Sequence, residues 1–534
     1  MKQRIYKTGL FAFAALILAA CTGDFENMST NPLGVSDEEL MQDNSLIGQH
    51  FPPIEQSIYY NFNTGNGADY TYQTFQNLNA DIWSGYMASP MNYTGGVNNQ
   101  TYFLIAGWNS SCWSYTYNHV MGNSQKIKEK VAEFGPETYG HFDAINSILR
   151  VLAMSRVCDQ YGPVIYSKYG ETLLGGEYDS GPDAYKLFFK ELDEAVKVLN
   201  TYLDTKSASF ARFDMAYNGD LRKWMRLGNS LRLRLAMRIV KYDPVLSKEQ
   251  AEAAASAPEG LMLNNSDIFT ISGFGYRNPI ATLSGRSEWN EIHINANVVS
   301  ILSGYEDGRL SRYATESPEG GIIGIRSGIP DLNILQEPYK EILSNINIPN
   351  PDVPVILFAP AETHFLLSEA ALRGWNVGGS AKAYYESGVR TSFEQWGAGL
   401  GDYLESTKTP APFVDALRED FNSPAMSTVT PRWDDAKTDE ERFEKICVQR
   451  WIAVFPEGMN GWAMWRRTGY PKLFPILKND SQGIIPTELG VRRLEYTNSE
   501  KINNPEGYAQ AVRLLGGPDN GATRVFWDID KPNF

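Results

Sequence analysis

The chain has 534 residues, 43% hydrophobic and 21% charged, values typical of a packed globular protein and inconsistent with a wholly disordered chain. Acidic residues (63) outnumber Lys and Arg (48), and the resulting formal net charge of −15 argues against a nucleic-acid-binding body, which carries a basic surface. Twelve tryptophans and 29 tyrosines provide many rings that either fill cores or stack on sugars.

The N-terminus has the pattern of a secretory signal peptide. A positively charged segment precedes the apolar stretch 8–20, which is too short to span a bilayer core of about 30 Å. The stretch ends in Leu18-Ala19-Ala20-Cys21, which matches a bacterial lipobox, in which the cysteine thiol receives a diacylglycerol. The alternative is an ordinary signal peptide followed by a chance cysteine.

This pattern predicts three segments. We expect a lipoprotein signal peptide at 1–20, a tether at 21–40 that begins with lipidated Cys21, and a single domain at 41–534. No later apolar run is long enough to cross a membrane, so the protein is predicted to be anchored by lipid and not to span the bilayer.

The remaining cysteines, Cys112, Cys158 and Cys447, are odd in number and widely spaced, which is not the pattern of a disulfide framework. Buried free thiols are the favoured interpretation, and one disulfide bridge is left open.

Apolar residues recur at helical spacing in several segments of the body, which predicts an all-α domain. Segments 362–374 and 381–396 are joined by a short loop and predict a helical hairpin of the tetratricopeptide style, although no strict 34-residue repeat is visible. Long Gly-, Asn-, Tyr- and Trp-rich stretches at 62–108 and 258–350 are predicted to be irregular loop insertions, and such loops are usually functional. Further helices are predicted over 188–199, 221–240 and 441–455.

The sequence lacks the common catalytic and cofactor motifs. The five histidines form no HExxH motif and no close pair, and the chain contains neither C-x-x-C nor a phosphate-binding P-loop. We therefore predict no cofactor and no catalytic metal. A glycosidase needs only two carboxylates, however, and 63 acidic residues leave a surface-anchored glycoside hydrolase open as the alternative function.

The C-terminal third carries an ordered set of characteristic blocks. These are 441–455, Gly461-Trp462-Ala463-Met464-Trp465-Arg466-Arg467, 491–496, Gly516-Gly517-Pro518-Asp519 and Val525-Phe526-Trp527-Asp528, preceded upstream by Trp224 and 229–238. Together with the lipobox, the sequence resembles the SusD/RagB-like nutrient-binding outer-membrane lipoproteins, and within them the second SusD-like subfamily.

This resemblance implies a function as well as a fold. Members of the family are lipoproteins of the Bacteroidota outer membrane that face the cell surface and have a tetratricopeptide-like helical body. They cap a TonB-dependent SusC-like β-barrel transporter as a hinged lid and deliver an oligosaccharide, or in some branches an oligopeptide, without chemical change. The resemblance therefore implies a binding protein and not an enzyme.

The ligand site is sought in the aromatic loops, because rings stack on sugars while amides and guanidinium groups bind hydroxyls. Trp451, Trp462, Trp465, Arg466 and Arg467 are interpreted as scaffold, and Trp108 and Trp113 as core. The predicted ligand-binding residues are Trp83, Tyr86, Asn92, Tyr93, Tyr276, Arg277, Asn278, Trp289 and Asn290. Loop packing or a contact with the barrel remains the alternative for each of them.

Overall fold

The computed structural model describes residues 37–61, 70–172, 175–203 and 207–534. The predicted signal peptide, Cys21 and most of the tether lie outside these residues. The boundary between two compact units of the chain falls between Ile47 and Gly48. The predicted start of the domain at residue 41 stays a prediction.

Helices dominate the described chain, which confirms the predicted all-α class. In the first half they are α1 Asp37–Gln42, α2 Ser45–Gly48, α3 Phe51–Ile58, α4 Tyr70–Tyr72, α5 Ala106–Asn109, α6 Ser111–Tyr115, α7 Gly122–Phe134, α8 Pro136–Tyr161, α9 Gly181–Tyr202, α10 Ser207–Phe210, α11 Leu221–Arg238 and α12 Pro244–Ala255. In the second half they are α13 Pro279–Ser284, α14 Ala296–Tyr305, α15 Leu310–Tyr313, α16 Leu332–Ile342, α17 Pro360–Leu372, α18 Ala381–Gln395, α19 Asp439–Val454, α20 Gly458–Thr468, α21 Asn498–Asn503 and α22 Pro505–Leu515.

The stretches expected to be irregular contain more regular structure than predicted. Two π-helices, Gln73–Asp81 and Thr116–Met121, continue α4 and α6, and helices α13 to α16 lie within 258–350. The first π-helix is almost entirely buried although its residues are mostly polar. Its Asp81 carboxylate accepts hydrogen bonds from the side chains of Tyr72, Gln76 and Asn77, which compensates its burial.

Two short antiparallel strand pairs join distant parts of the chain. Strand β1 (Met87–Ala88) pairs with β3 (His293–Ile294), with Met87 opposite Ile294, and β2 (Phe269–Ile271) pairs with β4 (Val355–Phe358). The β1–β3 pair brings the segment after residue 88 next to the segment before residue 293, and thereby places the two predicted aromatic loops side by side.

The predicted hairpin of α17 and α18 is confirmed. Gly388 on α18 permits the close approach of the two helices, because a Cβ at this position would lie 2.8 Å from the Phe365 ring on α17. Gly228 on α11 acts similarly where α8, α9 and α11 meet, since a Cβ there would lie 3.1 Å from Val196 and 3.2 Å from Ile148. Side chains cap helix starts, for example Asp220 before α11 and a Thr438–Glu441 capping box at α19.

Buried carboxylates connect the helices. Glu362 on α17 accepts hydrogen bonds from Arg234 on α11, Arg450 on α19 and Asn460 on α20. Asp159 on α8 likewise accepts from Trp527 near the C-terminus, with nitrogen and oxygen 2.7 Å apart.

The C-terminal signature is scaffold, as predicted. Trp451 and Trp462 are fully buried and donate to the backbone oxygens of Ser84 and Val491. Arg467 makes a bidentate ion pair with Glu369 on α17 at 2.8 and 2.6 Å. Cys112, Cys158 and Cys447 are buried free thiols, as favoured above.

Candidate ligand-binding surface

Two of the predicted residues in the first loop, Trp83 and Tyr86, lie in the interior. Trp83 is 7% exposed, donates its indole N–H to the carbonyl of Asn99 at 3.1 Å and packs 4.9 Å from the Trp462 ring. Tyr86 is fully buried and donates its phenol to the carbonyl of Trp451 at 2.5 Å. These rings therefore anchor the loop to the scaffold.

Tyr276 and Asn278 also serve the fold. Tyr276 is 6% exposed and donates its hydroxyl to the carbonyl of Tyr59 at 2.6 Å. Asn278 is 4% exposed and caps α13, since its side-chain oxygen accepts from the backbone N–H of Ile280. Sequence composition marked both residues as loop residues but carried no signal of this burial.

Tyr93 is half-buried in a cluster with Gln73, Trp108 and Glu291, here called the Tyr93 cluster. The Tyr93 hydroxyl donates to Glu291 Oε2 at 2.6 Å, and Gln73 Nε2 donates to both groups at 2.9 Å. The Tyr93 ring meets the Trp108 ring edge to face at 5.9 Å. Burial, followed by the Glu291 charge, raises the pKa of Tyr93 well above its usual range, so the phenol stays neutral and its ring is held in place.

The cluster unites elements that the sequence analysis treated separately. Gln73 begins the first π-helix, and Trp108, interpreted above as core, is half-buried on α5. Ser89, just after β1, donates its hydroxyl to the carbonyl of Glu291, just before β3, at 2.7 Å. Gln73 and Glu291 were missed because neither lies in a recognisable motif, and only the β1–β3 pairing brings them together.

The predicted residue Asn92 connects this region to α16. Its backbone N–H donates to Gln336 Oε1 at 2.8 Å, and its side chain is partly exposed. The turn that follows contains Thr94 and Gly95 with positive φ values of 51° and 71°, and a Cβ at Gly95 would meet nothing within 4 Å. The turn is therefore open to solvent beside Tyr93.

Trp289 lies in a turn whose backbone is held by hydrogen bonds. Its ring is 36% exposed, and its backbone N–H donates to the carbonyl of Thr282 at 3.2 Å. The next residue, Asn290, adopts a left-handed φ of 52°, donates to the carbonyl of Lys340 and accepts from Asn345. Asn290 therefore acts by positioning the turn that carries Trp289.

A groove of about 410 Å³ lies beside this turn and is called the arginine groove. Arg277 on its wall is exposed, and its guanidinium makes no hydrogen bond or ion pair with any residue that the structure describes. Arg286, also on the wall, instead donates to the backbone carbonyls of Lys340, Glu341 and Leu343 at the end of α16. The remaining polar lining includes Thr282, Ser287, Glu288, Thr315, Glu316, Asn345, Asn347 and Asn350.

This chemistry suits a polar, mostly uncharged ligand. Amides, hydroxyls and one available guanidinium offer both donors and acceptors, and exposed rings offer apolar faces. Among the described residues, no set of three or more His, Cys, Asp or Glu side chains is arranged to hold a metal ion.

Comparison with known proteins decides the family. The model of the SusD-like family, described as SusD and RagB outer membrane lipoprotein, matches residues 27–528. The chain belongs to this SusD-like family.

Solved structures of other SusD homologs agree. A chitin-binding SusD homolog from Flavobacterium johnsoniae is 43% identical, with a TM-score of 0.86 over 91% of this chain and 100% of that chain. A SusD homolog from Bacteroides vulgatus is 38% identical, with a TM-score of 0.86 over 93% and 100% of the two chains. A third, from Bacteroides uniformis, is 34% identical, with a TM-score of 0.83 over 91% and 99%. No curated protein matches the chain.

The SusD-like family is one of outer-membrane lipoproteins. In the part of this SusD-like chain that the structure describes, every helix is too short or too polar to cross a bilayer.

Proposed function

We propose that this SusD-like protein binds a nutrient oligosaccharide at the cell surface and delivers it, as a lid, to a TonB-dependent SusC-like β-barrel transporter. The observation that carries the binding role is the exposed Trp289 ring, which directly follows Glu288 of the arginine groove and precedes Glu291 of the Tyr93 cluster by two residues. The lid role rests on membership of the family and on the predicted lipid at Cys21, which would tether the body to the outer membrane.

The geometry offers two complementary kinds of contact. The Trp289 ring presents an apolar face on which the C–H face of a sugar can stack, and the Tyr93 cluster supplies further aromatic surface. Arg277, Asn347 and Asn350 line the adjacent groove and can hydrogen-bond hydroxyl or acetamido groups. Stacking rings with neighbouring polar groups is a combination that favours an oligosaccharide over an apolar ligand.

Chitin-type oligosaccharides are the first ligands to consider. The homolog from Flavobacterium johnsoniae is described as chitin-binding, and this chain is 43% identical to it over 91% of its own length. The groove carries several amide side chains, which can pair with the acetamido groups of such a ligand. An oligopeptide is the alternative ligand.

Calorimetric titration of the full mature chain tests the binding role. Chitin oligosaccharides are compared with cellulose oligosaccharides, starch oligosaccharides and oligopeptides. We expect saturable binding of an oligosaccharide and a loss of at least about tenfold in affinity for Trp289→Ala, because an exposed aromatic anchor contributes about 1.4 kcal/mol or more. Tyr242→Ala is the matched control, since Tyr242 is 45% exposed but lies outside this surface. Equal affinity of Trp289→Ala and the parent chain would overturn the proposed site.

Product analysis distinguishes the proposed binding protein from the alternative, a surface glycoside hydrolase. The candidate surface holds Glu291, but its carboxylate is engaged by Tyr93 and Gln73. We expect no shortened products after prolonged incubation with each oligosaccharide that binds. Product release that disappears in Glu291→Gln would refute the binding role in favour of hydrolysis.

The partner is tested by pull-down from the native outer membrane. We expect a TonB-dependent barrel to co-purify with the lipidated chain. Recovery of the chain without such a barrel would contradict the lid role and leave the binding experiment unaffected.

A further inference from the structure

A second groove lies away from the surface described above. Its volume is about 530 Å³, larger than that of the arginine groove. It is called the tyrosine groove and is defined here by six of its lining residues: Ser114, Tyr117, Asn118, Gly122, Lys126 and Tyr169.

The wall of the tyrosine groove is one face of a helical run. Ser114, Asn118 and Gly122 recur every four residues across α6, the second π-helix and the start of α7, so they line up along the groove. Gly122 has a helical φ of −62°, and a Cβ there would lie 3.8 Å from the Tyr169 hydroxyl. The lack of a side chain at Gly122 therefore keeps this part of the groove open. Its backbone conformation is one that any residue can adopt.

Aromatic rings form one side of the groove. Tyr117 and Tyr169 stack with their centroids 5.9 Å apart at 28°, and the Tyr169 hydroxyl donates to the backbone carbonyl of Tyr117. The Tyr117 hydroxyl accepts from the backbone N–H of Ile165 at 2.8 Å, and its ring packs 4.7 Å from Trp113. The two tyrosine rings are thereby fixed before any ligand arrives, which lowers the entropic cost of binding.

Polar groups without protein partners face the same space. Among the described residues, the side chains of Asn118 and Lys126 make no hydrogen bond or ion pair, and both are exposed at the groove. Fixed rings beside an available amide and ammonium group match the recognition of a hydroxyl-rich, uncharged oligosaccharide.

The tyrosine groove lies close in the chain to Trp108 of the Tyr93 cluster. Trp108 and Asn118 are ten residues apart, so their Cα atoms are separated by at most about 36 Å. A long saccharide chain can span such a distance, and a short one that fills one groove leaves the other empty.

We propose that the tyrosine groove is a second oligosaccharide-binding site, which engages the same chain outside the Trp289 site and so increases affinity for long ligands. This inference rests on the proposed function. Two linked contacts raise the affinity of a long ligand by an effective concentration, and a short ligand gains nothing.

The test compares a three-sugar with an eight-sugar chitin oligosaccharide on the full mature chain. Gly122→Met fills the tyrosine groove and also favours the helix, so the variant is expected to fold. We expect it to lower affinity for the eight-sugar ligand by about tenfold and to leave the three-sugar affinity unchanged, whereas Trp289→Ala lowers both. The double variant Asn118→Ala with Lys126→Ala removes exposed groups only and is expected to have the same length-dependent effect.

Failure of this inference differs from failure of the proposed function. If the parent chain binds both ligands and neither groove variant changes the ratio of the two affinities, the second site is refuted while the binding role stands. Equal losses for both lengths also refute it, because they would place the effect at the first site. No binding of either ligand by the parent chain refutes the chitin-type ligand and this inference together.

Discussion

The carboxylate of Glu362 joins four helices, and its removal should measure how strongly they are held together. Its oxygens accept hydrogen bonds from Arg234 at 3.1 and 2.6 Å, from Arg450 at 2.7 Å and from Asn460 at 2.8 Å, and the residue is 1% exposed. Glu362→Gln keeps the shape of the side chain and removes its charge. Arg234 and Arg450 would then remain buried without their counter-charge.

The loss of stability expected for Glu362→Gln follows from the pKa of the carboxyl group. Burial alone would raise the pKa of Glu362, but the guanidinium groups of Arg234 and Arg450 and the hydrogen bonds overcome burial and lower it to about 2. The shift from an ordinary value of 4.5 corresponds to about 3 kcal/mol of stability at pH 7. Because the pKa is depressed on folding, this stability is present above pH 4.5 and is lost as the pH falls toward 2.

Denaturant unfolding at several pH values tests this reasoning. We expect Glu362→Gln to lower the free energy of unfolding by about 3 kcal/mol at pH 7 and by about 1.5 kcal/mol at pH 3. Glu194→Gln is the control, because this glutamate is 59% exposed and its lysine partner lies 3.9 Å away, and it should change stability by less than about 0.5 kcal/mol. A parent chain and Glu362→Gln variant of equal stability at pH 7, or a difference that does not shrink in acid, would refute the argument.

Three further predictions concern residues in the interior of the protein. Burial and the neighbouring Asp214 carboxylate raise the pKa of Glu55 well above its usual range. The contribution of Glu55 to stability is therefore complete below pH 4.5 and is lost as the pH rises through the folded pKa. Glu55→Gln should remove this loss in thermal melts recorded across pH, and an unchanged pH profile would contradict the prediction. Gly388→Val should lower the unfolding free energy by about 1–3 kcal/mol in denaturant titrations, because the new side chain meets the Phe365 ring. Gly107→Ala, at a helical position where a Cβ meets nothing within 4 Å, should cost less than Gly388→Val. Cys112, Cys158 and Cys447 are buried, and burial raises the pKa of Cys112 to about 12. A thiol reagent should therefore label these three cysteines only after denaturation, and rapid labelling of the native chain would refute their burial.

Much of the scaffold could be predicted because its helices carry their own pattern. The apolar face of 188–199 lies in α9, and the hairpin over 362–396 appears as α17 and α18. The π-helix Gln73–Asp81 could not be predicted, because its polar sequence has no apolar period and is stabilised by hydrogen bonds within the fold.

The candidate surface was harder to predict because exposure of a ring depends on distant residues. Tyr86 and Tyr93 lie seven residues apart in one aromatic loop, yet Tyr86 is fully buried against Trp451 from α19 while Tyr93 is only half-buried beside Glu291. The composition of the loop predicts both tyrosines equally as ligand-binding residues. The sequence separations that distinguish them, 365 and 198 residues, are set only by the tertiary fold.

The position of Trp527 also bears on when the chain can fold. Its indole N–H reaches Asp159 across a separation of 368 residues, and the Asp159 carboxylate also binds Tyr185 and Arg238. Because this contact joins residues so far apart in the chain, the core around Asp159 stays incomplete until the segment that carries Trp527 has been synthesised. Final folding of this core therefore follows the folding of locally connected elements such as α17 and α18.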